Sequence, residues 1–120
     1  MARVLLVGYF AELLQERQNM LQAAGHDVTV AASLAAATAA IEQQIFDVAI
    51  MGFSVPEEER NQMALALKQK MPSTKIIMIY YSSVKNTELA DALMQTTASA
   101  EEIVRAVNHM VSLQDRSRPA

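Results

Sequence analysis

The chain has 120 residues, of which 52% are hydrophobic and 19% charged, a balance typical of one globular domain and too apolar for a disordered chain. Its net charge of -3 argues against broad attraction to nucleic acid, and the lack of cysteine excludes disulfides and thiolate chemistry. No apolar run approaches the roughly 20 residues that cross a bilayer, so we expect a cytoplasmic protein without membrane contact. His26 and His109 lack metal-ligand spacing and are interpreted as packing or surface residues.

The first third of the chain predicts a strand, a helix and a second strand. Residues 3–8 form a branched apolar run that ends at a glycine, which is typical of a buried strand. Residues 10–24 then carry apolar side chains at helical spacing, and Gly25 ends this helix. The predicted inner residues of the helix are Phe10, Leu13, Leu14, Leu21 and Ala24. Residues 26–32 alternate like a strand.

The middle of the chain repeats this alternation. Ser33 is suited to cap an alanine-rich helix, and residues 47–51 predict a third strand. Pro56 and the glutamates at 57–59 indicate the start of another helix, which Pro72 ends before a fourth strand at 75–80. The predicted inner faces of the two helices are Leu34, Ala37, Ile41 and Ile45, and Met63, Ala64, Leu67 and Met71.

The last third predicts one weak and two clear elements. Residues 82–91 leave room for only a short helix, and residues 92–95 indicate a brief fifth strand. Ser99 with Glu102 has the capping-box pattern and opens a last helix to about Leu113. The inner stripe of this helix is predicted to be Ile103, Ala106, Val107 and Met110. We therefore expect one domain over residues 1–114 and a polar tail over residues 115–120.

Five strands that alternate with helices predict an α/β fold with a parallel, doubly wound sheet. The flavodoxin-like strand order 2-1-3-4-5 is the expected arrangement. In such sheets functional groups gather at the carboxyl ends of the strands. The positions at these ends are Gly8, Tyr9, Gly52, Tyr80, Tyr81, Thr96 and Thr97.

Several segments together resemble the CheY-like receiver domain of two-component response regulators. These segments are VLLVGYF, LQAAGHDVTVAAS, DVAIMGFSVP, IIMIYYS and ALMQTTASAEEIVRAV, and they cover nearly the whole chain. The likeness includes Pro56, which stands at the family's distance past the phosphorylated residue. The resemblance implies a magnesium ion held by two acids after the first strand and a phosphoryl-accepting aspartate at the end of the third. It also implies a hydroxyl after the fourth strand and a lysine after the fifth, which together surround the phosphoryl group.

None of these five positions keeps its chemical group in this chain. The acidic pair becomes Gly8 and Tyr9, and the phosphoacceptor becomes Gly52. The hydroxyl position becomes Tyr80 and the lysine becomes Thr96. We therefore expect a degenerate pseudo-receiver that lacks the phosphorylation site, with no enzymatic activity, no metal and no cofactor.

Neighbouring acids are not expected to rebuild the site. Asp47 begins its strand and should lie roughly 16 Å from Gly52, at the opposite end of the sheet. Glu57, Glu58 and Glu59 are interpreted as charges on a solvated first helical turn, and Glu12 as a residue that faces water.

Two features suggest contact surfaces, each with a simpler alternative. The aromatic residues Tyr9, Phe53, Tyr80 and Tyr81 could anchor a partner, or they could fill the space left by the missing acids and metal. Candidate partner-binding residues are Leu93, which stands where the family has an aromatic residue, and Val104 and Val111 on the last helix. The two valines could equally be tolerated surface residues. The short segment 82–91 would alter the surface through which receivers commonly pair or dock partners.

Three functions remain open from the sequence. The first is signal transduction by phosphorylation-independent protein–protein interaction, with a homodimer as one arrangement. The second is a small-molecule sensor whose pocket lies at the strand edge, with Thr96 and Thr97 as hydroxyl donors. The third, an enzyme of another flavodoxin-like type, has no support beyond the fold.

Overall fold

The computed structural model describes residues 2–80 and 89–117. Their elements in chain order are β1 (Arg3–Val7), α1 (Ala11–Ala23), β2 (Asp27–Ala31), α2 (Leu34–Gln43), β3 (Val48–Met51), α3 (Glu57–Lys70), β4 (Lys75–Tyr80), β5 (Ala92–Gln95) and α4 (Ala100–Ser117). The five strands form one sheet in the order β2-β1-β3-β4-β5, and every pairing is parallel. This architecture confirms the predicted flavodoxin-like fold.

The sheet buries both faces, which explains why its inner strands β1, β3 and β4 are apolar apart from residues at their ends. Leu5, Val7 and Met78 belong to a core cluster on the face that α2 and α3 cover. Val4, Leu6 and Ile77 belong to a second cluster on the opposite face, which α1 and α4 cover. We call these the α2/α3 cluster and the α1/α4 cluster.

The inner face of α1 differs from the prediction at three positions. Phe10 and Ala24 are exposed rather than buried, whereas Arg17 is buried beside Leu14 and Leu21. Phe10 is the N-cap residue with extended backbone, and Ala24 follows the last helical residue, so neither shares the periodicity of the helix. Gly25 ends the passage with a positive φ of 92°, and a Cβ there would meet no atom within 4 Å. Positive φ favours glycine because it has no Cβ to clash.

Helices α2 and α3, on the opposite face of the sheet from α1, agree closely with the prediction from the sequence. The Ser33 hydroxyl caps α2 by accepting a hydrogen bond from the Ala36 amide at 3.1 Å, as predicted. The predicted stripe of α3 is buried throughout, from Met63 to Met71. Ile45 is the exception, with 68% of its surface exposed, because α2 ends at Gln43 before the turn in which Ile45 would continue its inner face.

The last helix has the predicted capping box. The Glu102 amide donates to the Ser99 hydroxyl at 3.1 Å, and the Ser99 amide donates to the Glu102 carboxylate at 3.3 Å. The helix continues to Ser117, four residues beyond the predicted end at Leu113. Polarity alone does not end a helix, so the polar residues after Leu113 continue α4.

Two further predictions concern less regular parts of the chain. The short helix predicted over residues 82–91, and with it the shortened fourth helix of the family comparison, lies outside the described residues except at 89–91, which are turn and bend. His26 is a packing residue, as interpreted: its Nδ1 accepts from the Ala2 amide at 3.1 Å and its Nε2 lies 2.8 Å from Asn108 Oδ1. None of the described helices is long and apolar enough to cross a membrane.

Candidate functional site

The carboxyl edge of the sheet brings together the positions that the sequence analysis selected. The Gly52 amide donates to the Val7 carbonyl at 2.8 Å, which joins the end of β3 to the end of β1 beside Gly8. The Thr96 amide donates to the Tyr80 carbonyl at 3.0 Å, which joins the ends of β5 and β4 in the same way. Gly8, Tyr9, Gly52, Tyr80 and Thr96 therefore lie along one edge of the sheet.

Gly52 lies against a cation. A Cβ built on Gly52 would lie 3.1 Å from the Val7 carbonyl oxygen and 3.4 Å from Arg17 Nη1. The first distance is tighter than ordinary van der Waals contact, and the backbone oxygen has little freedom to move. The position without a side chain is therefore where a guanidinium reaches the backbone of β3.

Arg17 reaches this point from α1, through the inner face of the helix. Only 5% of its surface is exposed, and it lies between Leu14 and Leu21 at helical spacing. A Cβ on Gly8 would lie 3.2 Å from Leu14 Cδ1, so both glycines leave room for side chains of α1. Arg17 stands among polar residues in the sequence, so it was not predicted to be buried. The signal that could have found it is its spacing of three residues from Leu14 and four from Leu21.

The charge of Arg17 is poorly compensated. Its Nε is buried without a hydrogen-bond partner, and within residues 2–80 and 89–117 no hydrogen bond or ion pair includes its guanidinium. Burial lowers the pKa of Arg17, while the negative charge of Glu16 opposes that shift. A guanidinium stays protonated at neutral pH nevertheless, so the structure holds a positive charge next to Gly52.

Tyr9 is tied to the loop and helix that follow β3. Its amide donates to the Ser54 hydroxyl at 2.8 Å, and its phenol donates to Glu59 Oε1 at 2.8 Å. Burial first, and then the hydrogen bond and charge of Glu59, raise the pKa of Tyr9 to about 12. The interpretation of Glu59 as a solvated charge was therefore wrong, because its carboxylate accepts a hydrogen bond from the phenol of Tyr9. Glu58 is exposed, as predicted.

The aromatic residues of this edge divide into packed and exposed side chains. Tyr9 packs against the α2/α3 cluster and Phe53 against the α1/α4 cluster, which favours the space-filling explanation for these two. Phe10, which was expected inside α1, is 55% exposed and makes an edge-to-face contact with Phe53 at a centroid distance of 5.5 Å. Tyr80 is partly buried, and Tyr81 lies outside the described residues.

The three candidate partner-binding residues differ in exposure. Leu93 is 47% exposed on β5. Val104 and Val111 are partly buried and pack against the α1/α4 cluster, so neither is a fully exposed surface residue. Partner binding by these residues stays a prediction, and Leu93 is the most accessible of the three.

The residues at the carboxyl edge do not fit a magnesium ion. Mg²⁺ requires oxygen ligands that converge on one point, whereas Gly8 and Gly52 offer no side chain and Arg17 brings a positive charge. Asp47 lies at the opposite end of the sheet, as predicted, where its carboxylate accepts from the Arg3 amide at 2.9 Å. Among the described residues no three His, Cys, Asp or Glu side chains form a group that could hold a metal.

The fold is similar to those of several solved receiver domains and response regulators. A CheY-like response regulator receiver domain protein from Methanospirillum hungatei matches with a TM-score of 0.89 at 22% identity, over 98% of this chain and 99% of that one. A receiver domain protein from Clostridium thermocellum matches with a TM-score of 0.85 at 18% identity, over 98% and 100% of the two chains. The response regulator TrrA from Thermotoga maritima, in complex with Mg²⁺ and BeF, matches with a TM-score of 0.79 at 19% identity, over 92% and 99%.

No family model and no curated protein matches the chain. The structural matches show that the chain has the fold of CheY-like receiver domains, which confirms at the level of fold the resemblance seen in the sequence.

Proposed function

We propose that this chain acts in signal transduction as an atypical receiver domain, through protein–protein interaction that does not depend on phosphorylation. One observation carries the proposal: the end of β3 has a glycine beside a buried guanidinium. Phosphoryl transfer to a receiver needs a carboxylate nucleophile and a metal that offsets the charge of the phosphoryl group. The described part of this edge has glycine at the nucleophile position and no group of side chains that could hold a metal, while the receiver fold is retained.

The surface that supports a protein partner is the outer side of β5. Strands of a parallel sheet are usually covered on both faces, yet Leu93 and Gln95 point to a side where both are exposed. An exposed leucine on an edge strand is suited to bury itself against another protein, including a second copy of this chain. The partner is therefore proposed to contact Leu93.

The loss of phosphoryl chemistry is tested by incubating the protein with acetyl phosphate and Mg²⁺ and measuring its intact mass. We expect no phosphoryl adduct, whereas a receiver domain with an intact site, treated in parallel, should gain one. An adduct on this chain would contradict the proposal.

The contact surface is tested by co-purification from the native host followed by light scattering on the isolated chain. Leu93→Glu should abolish the association that either experiment detects. Leu65→Glu is the matched control, because Leu65 is 44% exposed on α3, on another surface. If Leu93→Glu and Leu65→Glu associate to the same extent, Leu93 does not lie in the interface.

A further inference from the structure

The buried guanidinium of Arg17 is costly for the free protein. A charged group taken out of water without hydrogen bonds or an opposite charge loses several kcal/mol of hydration. Arg17 is 5% exposed, its Nε has no partner, and the part of the chain that the structure describes places no carboxylate within ion-pair distance of its guanidinium. A group of this kind in a natural protein calls for a compensating anion.

The direction of the side chain places this charge at a site suited to anions. Helical side chains lean toward the N-terminus of their helix, so Arg17 carries its guanidinium back toward the start of α1 and the carboxyl edge of the sheet. Its Nη1 there lies against Gly52. Helix α1 begins at the same edge, directly after Gly8 and Tyr9, and its N-cap residue Phe10 makes no side-chain capping bond.

The guanidinium of Arg17 and the N-terminus of α1 both favour the binding of an anion. The N-terminus of a helix carries a partial positive charge and amide donors that favour anions, and a cation beside it is unfavourable unless an anion neutralises both. The planar fork of a guanidinium matches the two oxygens of a carboxylate or phosphate.

We propose that Arg17, which lies beside Gly52, and the N-terminus of α1 form a binding site for an oxyanion, the phosphate or carboxylate group of a small molecule. The anion is bound reversibly and without covalent chemistry, since Gly52 stands at the position where a receiver domain has its nucleophilic carboxylate. The inference does not rest on the proposed partner contact at Leu93, which lies on the outer face of β5.

The experiment compares the melting temperature of the protein in sodium phosphate, acetate and chloride at matched ionic strength. We expect phosphate or acetate, but not chloride, to raise the melting temperature in a saturable way, because a ligand that binds only the folded state stabilises it. Glycerol phosphate, tested beside inorganic phosphate, distinguishes an organic phosphate from the free ion.

Two variants assign the effect to Arg17. Arg17→Met keeps the apolar stem and removes the charge, so it should raise the melting temperature in chloride and lose the response to the anion. Arg105→Gln, at an exposed position of α4, is the matched control for the lost charge and should keep the response. An unchanged response in Arg17→Met, or no response of the parent protein to any of the oxyanions, would overturn the proposal.

Nitrogen NMR of the parent protein provides a readout that needs no variant. The Nε–H resonance of Arg17 should shift progressively as phosphate or acetate is added, whereas that of exposed Arg105 should stay in place. Arg17→Lys, which keeps a charge but not the fork, should weaken the anion affinity by roughly tenfold, the loss expected for one charge-assisted hydrogen bond. A stationary Arg17 resonance at saturating anion would count against the site as firmly as the melting data.

Discussion

The guanidinium of Arg17 occupies space that a side chain at position 52 would need. A side chain at position 52 would have to share its space with the Val7 carbonyl and the Arg17 guanidinium. An aspartate there would therefore meet a positive charge held by the protein itself, in place of the divalent ion that a receiver's aspartate faces. The protein itself therefore carries a positive charge at the edge where the receiver pattern has acidic side chains.

A first prediction follows for Gly52→Asp. Its carboxylate should pair with Arg17 and should not accept a phosphoryl group, because the paired oxygen is a poor nucleophile and the described residues hold no group of metal ligands. Gly52→Asn has the same shape without the charge, and it should be less stable at neutral pH by about 1–3 kcal/mol. Urea unfolding of both variants measures this difference, which should vanish when Arg17→Met is added to each.

The phenol of Tyr9 gives a second prediction at this scale. Its pKa is 10.0 when unperturbed and about 12 in the folded protein, so the folded chain keeps a proton that the unfolded chain releases between these values. The stabilisation is fully present below pH 10 and is lost as the pH rises toward 12. Ultraviolet titration of tyrosinate should show one tyrosine with a pKa near 12.

Glu59→Gln separates the causes of this shift. It should lower the pKa of Tyr9 only part of the way to 10, because burial is the largest cause and remains. Glu58→Gln, at the exposed neighbouring position, should leave the titration as it was. A Tyr9 pKa at its ordinary value in the parent protein would show that the bond to Glu59 is not formed in solution.

At the scale of elements, the helices are set by local signals that can be read without the fold. Ser33 and Ser99 cap α2 and α4 as their sequences indicate, and the stripe from Met63 to Met71 lies inside as its spacing requires. The predicted burial and bounds are wrong where a helix ends at a different residue from the one that its apolar spacing indicates, as in α2 and α4. Ile45 is exposed because α2 stops at Gln43, a boundary that apolar spacing does not encode.

The capping box of α4 supports a third prediction. Ser99→Ala removes the acceptor of the Glu102 amide and should lower the free energy of unfolding by about 1 kcal/mol. Ser99→Thr keeps a hydroxyl and should cost much less. Chemical denaturation of the two variants tests this, and equal losses would mean that the side chain at position 99 does not cap the helix.

At the scale of the whole molecule, the fold could be predicted because its strands are apolar on both faces and alternate with helices. That pattern allows few arrangements besides a doubly wound parallel sheet. The electrostatics of the site could not be predicted in the same way. Arg17 is distant in sequence from Gly52, and its burial depends on how α1 packs across β1 and β3, which no local pattern specifies.

The junction between α4 and the beginning of the sheet gives a fourth prediction. Asn108 on α4 bonds the buried ring of His26, whose other nitrogen accepts from the chain just before β1. Asn108→Ala should lower the global free energy of unfolding by about 1 kcal/mol, because it leaves a buried ring nitrogen unpaired. His109→Ala, at the adjacent exposed position, should change it by less than about 0.5 kcal/mol. Similar losses in both variants would exclude a specific role for the His26 contact.

The positive φ and the open surroundings of Gly25 determine which enantiomer of an amino acid this position would favour. The positive φ at this position is the mirror image of what an L-residue prefers, so Gly25→Ala should cost about 1–2 kcal/mol from backbone conformation alone. A D-alanine placed there by chemical ligation prefers that φ. By restricting the unfolded chain it should stabilise the protein by about 0.4–1 kcal/mol, so the two enantiomers of one amino acid would move the melting temperature in opposite directions.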